Sequence, residues 1–317
     1  MRRPTAAPAE AGGRGRTKQR EGLAERAVDL AARGIIAVAL ALPYAARVRF
    51  AGWLMRRLIG PVAGYRNRAL VNLAATWPDR SDAERWAIAN KVCDNVGRTL
   101  IENYSTVDLL ARMADVMPEG PGVPALEEAQ AASRPVILVT GHFGNYEAAR
   151  ACLVARGFRV GGLYRPMRNR FFNDHYVRTM QAFGGPVFGQ GARGTAGFVR
   201  HLRDGGQLVL LFDQHVNRAE DFQFLGRPAA TATSAAELAL RYGAALIPFY
   251  ATRLDDGLRF RVELEAPVPP TTPREMTEAL TRSLEARVEA NPGQWFWIHR
   301  RWKPRPRPKV KPAPDVR

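Results

Sequence analysis

Cysteine is nearly absent: Cys93 and Cys152 are the only two in 317 residues. Two cysteines give no disulfide framework and no zinc-ligand spacing, and they read as small buried thiols. A long apolar run is missing too. The most apolar window, residues 34–46, is bounded by Arg33 and Arg47 and interrupted by Pro43. As a helix it reaches about 20 Å, short of a hydrocarbon core of roughly 30 Å. Acidic residues are under-represented, with 30 Asp and Glu against 47 Lys and Arg, a formal net charge of +17. There is no internal repeat. What is present is an ordinary globular mixture, 46% apolar and 24% charged. That excludes a wholly disordered chain, a collagen-like fibre and a small disulfide scaffold. The length suits one large α/β domain or two small ones.

The two ends carry much of the excess charge. Residues 1–20 and residues 303–317 each hold six basic residues against one acidic. Both are poor in large apolar side chains, and the second alternates basic residues with proline. They read as disordered, with polyproline character in the tail at residues 304–317. The chain between them keeps a net positive charge, which suits an anionic partner: nucleic acid, an anionic membrane or an acidic carrier protein. Solvated faces of an arginine-rich composition account for the charge equally well.

Residues 21–60 place the apolar window between arginines and a tryptophan: Arg47, Arg49, Arg56 and Arg57 mix with Phe50, Trp53, Leu54 and Leu58. An interfacial anchor needs that arrangement, because arginine reaches headgroup phosphates from a helix lying at the interface. A core helix and a cleaved signal peptide, suggested by Ala39-Leu40-Ala41, are the competing readings. The expectation is a membrane-associated segment on a cytoplasmic face.

Residues 61–303 then alternate. A capping box at Ser81-Asp82-Ala83-Glu84 opens a helix over 82–103, with Ile88, Val92, Val96 and Leu100 at helical spacing. A Gly/Pro-rich break covers 118–124. Short apolar runs at 135–140, 158–164, 207–212, 245–250 and 258–264 read as strands, and helical stretches lie between them at 146–156, 172–183, 196–203 and 235–242, with another at 273–290. That pattern predicts an α/β fold, a mostly parallel sheet flanked by helices.

Working residues of such a sheet lie at the carboxyl ends of strands. The first strand runs straight into Gly141-His142-Phe143-Gly144-Asn145-Tyr146-Glu147. On one continuous helix, residues five apart point about 140° away from each other. With His142 in the glycine-flanked turn and Glu147 in the first helical turn, the two can meet. Glu147 then fixes the imidazole tautomer, and the other ring nitrogen takes a proton from a hydroxyl. A hydrogen-bonded loop histidine beside a helix-terminal glutamate is the plain alternative.

This motif resembles the histidine–four–acid motif of glycerolipid acyltransferases. The fuller string is similar to the branch holding the late acyltransferases of lipid A biosynthesis and the mycobacterial phosphatidylinositol mannoside acyltransferases. Tyr164-Arg165-Pro166, Phe212-Asp213-Gln214, Phe224-Leu225-Gly226, Ala230-Thr231-Ala232-Thr233, Ile247-Pro248-Phe249 and the run from Gln294 to Lys303 agree in order, over roughly residues 25–303. The resemblance implies an α/β acyltransferase fold with an N-terminal membrane-associated helix, and no metal or bound cofactor. It implies that His142 deprotonates a hydroxyl of a lipid A precursor or related anionic glycolipid or lysolipid, with Glu147 polarising it. The acyl donor is a thioester of acyl carrier protein or coenzyme A, the setting is the cytoplasmic face of a bacterial inner membrane, and nucleic acid is not expected.

Arg165 and Arg193 are candidate substrate contacts for phosphate or a developing oxyanion. Asp213 orients one of those arginines or caps the next segment. Gln214 belongs to the same strand end. Asn145 donates to the oxyanion or makes an Asx turn. His215 stands where many relatives carry an acid, and reads as a surface histidine; the loop at 217–221 is unlike the usual glycine-containing one. The aromatic run near the C-terminus reads as core packing beside the site. Two other classes stay in view: a non-enzymatic basic membrane- or nucleic-acid-binding protein on an acyltransferase-like fold, and a metallohydrolase using His142, Glu147, Asp213 and His215.

Overall fold

Val136–Thr140 (β1) is apolar without alternation because both its faces are covered. Successive side chains point to opposite faces, so Ile137 and Val139 enter one core, and Val136 and Leu138 the other. In this computed structural model, which describes residues 11–167 and 169–303, β1 is the centre of the sheet. It pairs in parallel with Gln207–Leu211 (β4) on one side and Ala245–Arg253 (β7) on the other. Val160–Tyr164 (β2) lies outside β4, with Val187–Gly189 (β3) beyond it, and Phe260–Leu264 (β8) runs antiparallel along β7. The order is β3-β2-β4-β1-β7-β8.

The connections decide where a site can form. β1 leaves through Tyr146–Val154 (α8), which packs with Leu138 on one face. The route from β4 to β7 passes through Ser234–Tyr242 (α11), which packs with Ile137 and Val139 on the other. Neighbouring strands whose chains depart to opposite faces leave a crevice at their carboxyl ends. The rest of the frame is Arg170–Ala182 (α9), Ala192–Arg203 (α10) and Pro273–Ala290 (α12).

The helical N-terminal part backs this crevice. Ala11–Leu40 (α1), Tyr44–Leu54 (α2), a π-helical turn at Met55–Ile59, Gly60–Val62 (α3) and Tyr65–Thr76 (α4) lead to Asp82–Tyr104 (α5). The Ser81–Glu84 capping box starts α5 as expected. α2 lies against α5 at Gly97, where a Cβ would stand 2.3 Å from the Ala51 carbonyl oxygen; only a residue without one lets the backbones approach so closely. α1 begins at Ala11, inside the segment expected to be disordered; residues 1–10 and 304–317 lie outside the described residues. Among the described residues, no helix is long and apolar enough to cross a membrane.

The sheet and its flanking helices agree with the alternation in the sequence, except that the short edge strand β3 lies in a stretch not read as a strand. Thr106–Ala114 (α6) and Gly122–Ala131 (α7) were not anticipated, the second because it starts within the Gly/Pro-rich break. Pro124 sits in its first turn, where a missing N–H costs nothing. Also unanticipated is the separate hairpin of Glu220–Phe224 (β5) and Arg227–Thr231 (β6), whose charged outer residues and Pro228 mask its inward Phe222, Phe224 and Ala229.

Candidate active site

The turn after β1 is fixed by its backbone before any side chain acts. Gly144 has φ +55, and a Cβ there would fall 1.9 Å from the Ala251 carbonyl oxygen, so the turn requires glycine. The Gly144 N–H donates to the Gln294 carbonyl (3.0 Å), and the Phe296 N–H donates to the His142 carbonyl (3.0 Å). The segment that carries the C-terminal aromatics thereby clamps the turn.

Asp213 follows β4, the parallel neighbour of β1, and reaches His142. Its Oδ1 lies 2.7 Å from His142 Nδ1, and its Oδ2 accepts from the His142 N–H (2.8 Å) and from the Trp295 indole N–H (2.9 Å). Asp213 is 1% exposed. Burial alone would raise its pKa, but the His142 imidazole, the hydrogen bonds to it and the nearby His299 hold the carboxyl well below the usual range. An ionised acceptor at Nδ1 fixes the proton there and leaves the Nε2 lone pair unprotonated. The exposed Gln214 amide N–H donates to that lone pair at 3.4 Å, a contact that an incoming hydroxyl can replace.

The imidazole partner is therefore Asp213 and not Glu147. Glu147 is in the first turn of α8, as expected, but its Oε2 accepts from Arg150 Nε at 2.8 Å. Arg150, 2% exposed, also donates to the Gly184 (2.7 Å) and Met180 (3.2 Å) carbonyls. That pair braces α8 against the end of α9. Asp213 does not orient Arg165 or Arg193, because its oxygens are taken by three N–H groups.

Two cavities meet at His142 and Tyr146. The first, about 360 Å³, is lined by Glu147, Arg150, Tyr164, Arg165, Tyr176 and Gln214 among others. The second, about 670 Å³, has an apolar wall of Met55, Val96, Leu100, Phe296 and Ile298, and it contains His299. Burial pushes the Tyr146 phenol well above its ordinary value and Tyr176 up to about 12, so both stay protonated donors.

The other predicted residues divide. Arg165 and Gln214 face the first cavity. Arg193 is exposed at the start of α10 and lines neither of these cavities. Asn145 is the buried N-cap of α8: its Oδ1 accepts from the Glu147 and Ala148 N–H groups, and its Nδ2 donates to Glu102 at 2.9 Å, so it is not an oxyanion donor. His215 bonds Asn217 in its own loop (3.1 Å). The set His142, Glu147, Asp213 and His215 is thus not assembled as a metal site. Among the described residues, the group close enough to share an ion is His142, Asp213 and His299. The hydrogen bonds to Asp213 already account for its oxygens.

Sequence reasoning missed two features. Trp295, 1% exposed, serves as core and as a donor to Asp213. Behind the turn, Glu102 is fully buried and takes Arg253 (2.7 Å), while Arg253 Nε donates to Asn95 (2.8 Å) and Asn95 donates to the Gly144 carbonyl (3.2 Å). An acid and an asparagine within an amphipathic helix carry no signal that they are buried.

The family model described as bacterial lipid A biosynthesis acyltransferase matches residues 18–304. Over 250 residues the chain is 28% identical to the lipid A biosynthesis lauroyltransferase of Escherichia coli K12, covering 74% of this chain and 78% of that one. It is 24% identical over 289 residues to the lipid A biosynthesis myristoyltransferase of the same organism, covering 85% and 83%. To the palmitoleoyltransferase of that organism it is 26% identical over 249 residues, covering 74% and 78%.

Proposed function

The chain belongs to the bacterial lipid A biosynthesis acyltransferase family and is an O-acyltransferase, and from that premise we propose that it moves a fatty acyl group from a thioester of acyl carrier protein or coenzyme A to a hydroxyl of a lipid A precursor or related glycolipid. The observation that carries this reading is His142 Nε2 where two cavities meet, engaged by the exposed Gln214 amide alone among the described residues, with its Nδ1 tied to a buried carboxylate. His142 takes the hydroxyl proton as the oxygen attacks the thioester carbonyl, and Asp213 stabilises the imidazolium. The C–S bond breaks, and the proton passes to the departing thiolate. Arg165, exposed beside the first cavity, suits a phosphate of the donor or the glycolipid. Gln214 stands where a reacting oxygen would sit. Glu147 acts as a positioning residue through Arg150.

We propose further that the enzyme works on an anionic membrane surface at the cytoplasmic face of the inner membrane, a reading that the surface of the N-terminal helices supports. Ile35, Val38, Trp53, Leu58 and Val62 are exposed apolar residues, and Arg49 and Arg57 are exposed among them. Exposing such a surface to water costs free energy, which burial of the apolar side chains at the headgroup–acyl boundary recovers.

The test is acyl transfer by purified protein in mixed micelles containing a lipid A precursor, with acyl–carrier-protein and acyl-CoA offered separately. His142→Ala should lower transfer on the order of 10²–10⁴-fold with an unchanged circular dichroism spectrum. Full transfer by that variant would remove the proposed base.

A further inference from the structure

His299 has no part in the mechanism so far, yet its ring stands edge-on to His142, with centroids 4.5 Å apart at 83°. It makes a second edge contact with Phe296 at 4.5 Å. Its backbone is tied at both ends: the N–H donates to the Phe296 carbonyl (3.0 Å), and the carbonyl accepts from Asn72 Nδ2 (3.0 Å). The ring is thus held in place, and among the described residues its buried Nε2 has no hydrogen-bond partner. A neutral imidazole fixed beside a substrate cavity can donate from one ring nitrogen and accept at the other, so the ring is equipped to meet a hydroxyl that enters there. The ring lines the second cavity and not the first. That second cavity is the apolar-walled one. Its wall includes Leu100, which is 52% exposed, and Met55 in the turn after α2, next to the surface proposed to meet lipid.

We propose that His299 is the catalytic group on the acceptor side: its imidazole hydrogen-bonds the nucleophilic hydroxyl of the glycolipid in the second cavity and holds that oxygen against His142 Nε2. The inference rests on the acyltransferase reading. In the reaction the hydroxyl proton goes to His142, a C–O bond forms to the thioester carbonyl, the C–S bond breaks, and the thiolate takes the proton from His142. His299 ends as it began. Burial and the neighbouring His142 push the pKa of His299 down to about 4, so the ring is neutral near pH 7, able to donate one hydrogen bond and accept another without competing for the proton.

Two reactions separate this role from simple packing: acyl transfer to the glycolipid, and hydrolysis of the acyl thioester by water with no acceptor present. His299→Ala should lose transfer about 100-fold, as removal of one substrate-bonding group does, and should lose His142-dependent hydrolysis far less. His299→Gln, which carries an amide near the position of Nε2, should recover much of the transfer. Wild-type transfer by His299→Ala, or an equal loss of both reactions with the fold intact, overturns the proposal. Should the alanine variant not fold, His299→Gln and His299→Phe decide: transfer by the first and not the second supports the role, and equal rates overturn it. Wild-type protein that hydrolyses thioester but transfers to no glycolipid overturns the acyltransferase reading itself, a different result from any of these.

Discussion

The turn at residues 141–145 is held from two sides by buried carboxylates, and the two sides use the same hydrogen bonds for different ends. In front, Asp213 grips His142 and Trp295, and the far nitrogen of the imidazole opens onto substrate space. Behind, Glu102 grips Arg253 and Asn145, and lines neither of the two cavities. The difference lies in the partner. An imidazole can change charge and has a second nitrogen to work with, whereas a guanidinium is charged at every accessible pH and makes a fixed brace. On the proposed mechanism, one buried acid serves chemistry and the other serves the shape that the chemistry needs.

Exchanging an oxygen for an amide in front should give the largest effect. In Asp213→Asn the oxygen would stay with the Trp295 and His142 N–H groups, turning the amide NH₂ toward His142 Nδ1. That forces the proton onto Nε2, the wrong nitrogen for a base. Transfer should fall on the order of 10³–10⁴-fold, measured as kcat, with a small change in Tm. The same exchange behind should do the reverse. Glu102→Gln leaves the Arg253 charge buried and unpaired, which costs about 3–5 kcal/mol of stability. Urea denaturation should show that loss, while kcat per folded molecule is little changed. If Asp213→Asn unfolds the protein and Glu102→Gln silences it, the two sides have been assigned the wrong way round.

The halves of this comparison were unequally legible. His142 and Glu147 stand out because a glycine-flanked turn after an apolar strand is a local pattern. Asp213 was visible as a strand-end acid, but its partner was not. The pairing depends on β4 lying next to β1, and the strand order follows from long-range contacts across 71 residues. Asn145 shows two local readings competing, and the helix cap won because the α8 N–H groups needed an acceptor. Arg165 reached the first cavity and Arg193 did not, since one ends a strand of the sheet and the other starts an outer helix. Glu102 and Arg253 were unreadable: a charge on an amphipathic helix looks solvated until its partner on β7 is known. His299 was hidden by its setting, one polar residue in an aromatic run whose clearest meaning was packing.

The front side should also carry a pH response that the rear brace does not share. Burial first, and then the His142 imidazole, depress His299 to about 4, against the opposing pull of Asp213. A base with a lowered folded-state pKa binds fewer protons folded than unfolded. Between about pH 6.5, where the unfolded ring titrates, and pH 4, the unfolded chain takes up a proton that the folded one refuses. Stability therefore falls as pH drops through that window, by at most about 3 kcal/mol, and the penalty levels off below pH 4. Asp213 stays ionised in the folded protein throughout the window, because its own pKa is lowered. His299→Gln removes the titrating ring, and the histidines away from it contribute equally to both proteins. Urea midpoints at pH 7, 5.5 and 4.5 should show wild type losing more stability than His299→Gln on acidification. Parallel losses in the two proteins would mean that the ring at position 299 is as free to protonate in the fold as in the open chain, and that it is not enclosed beside His142.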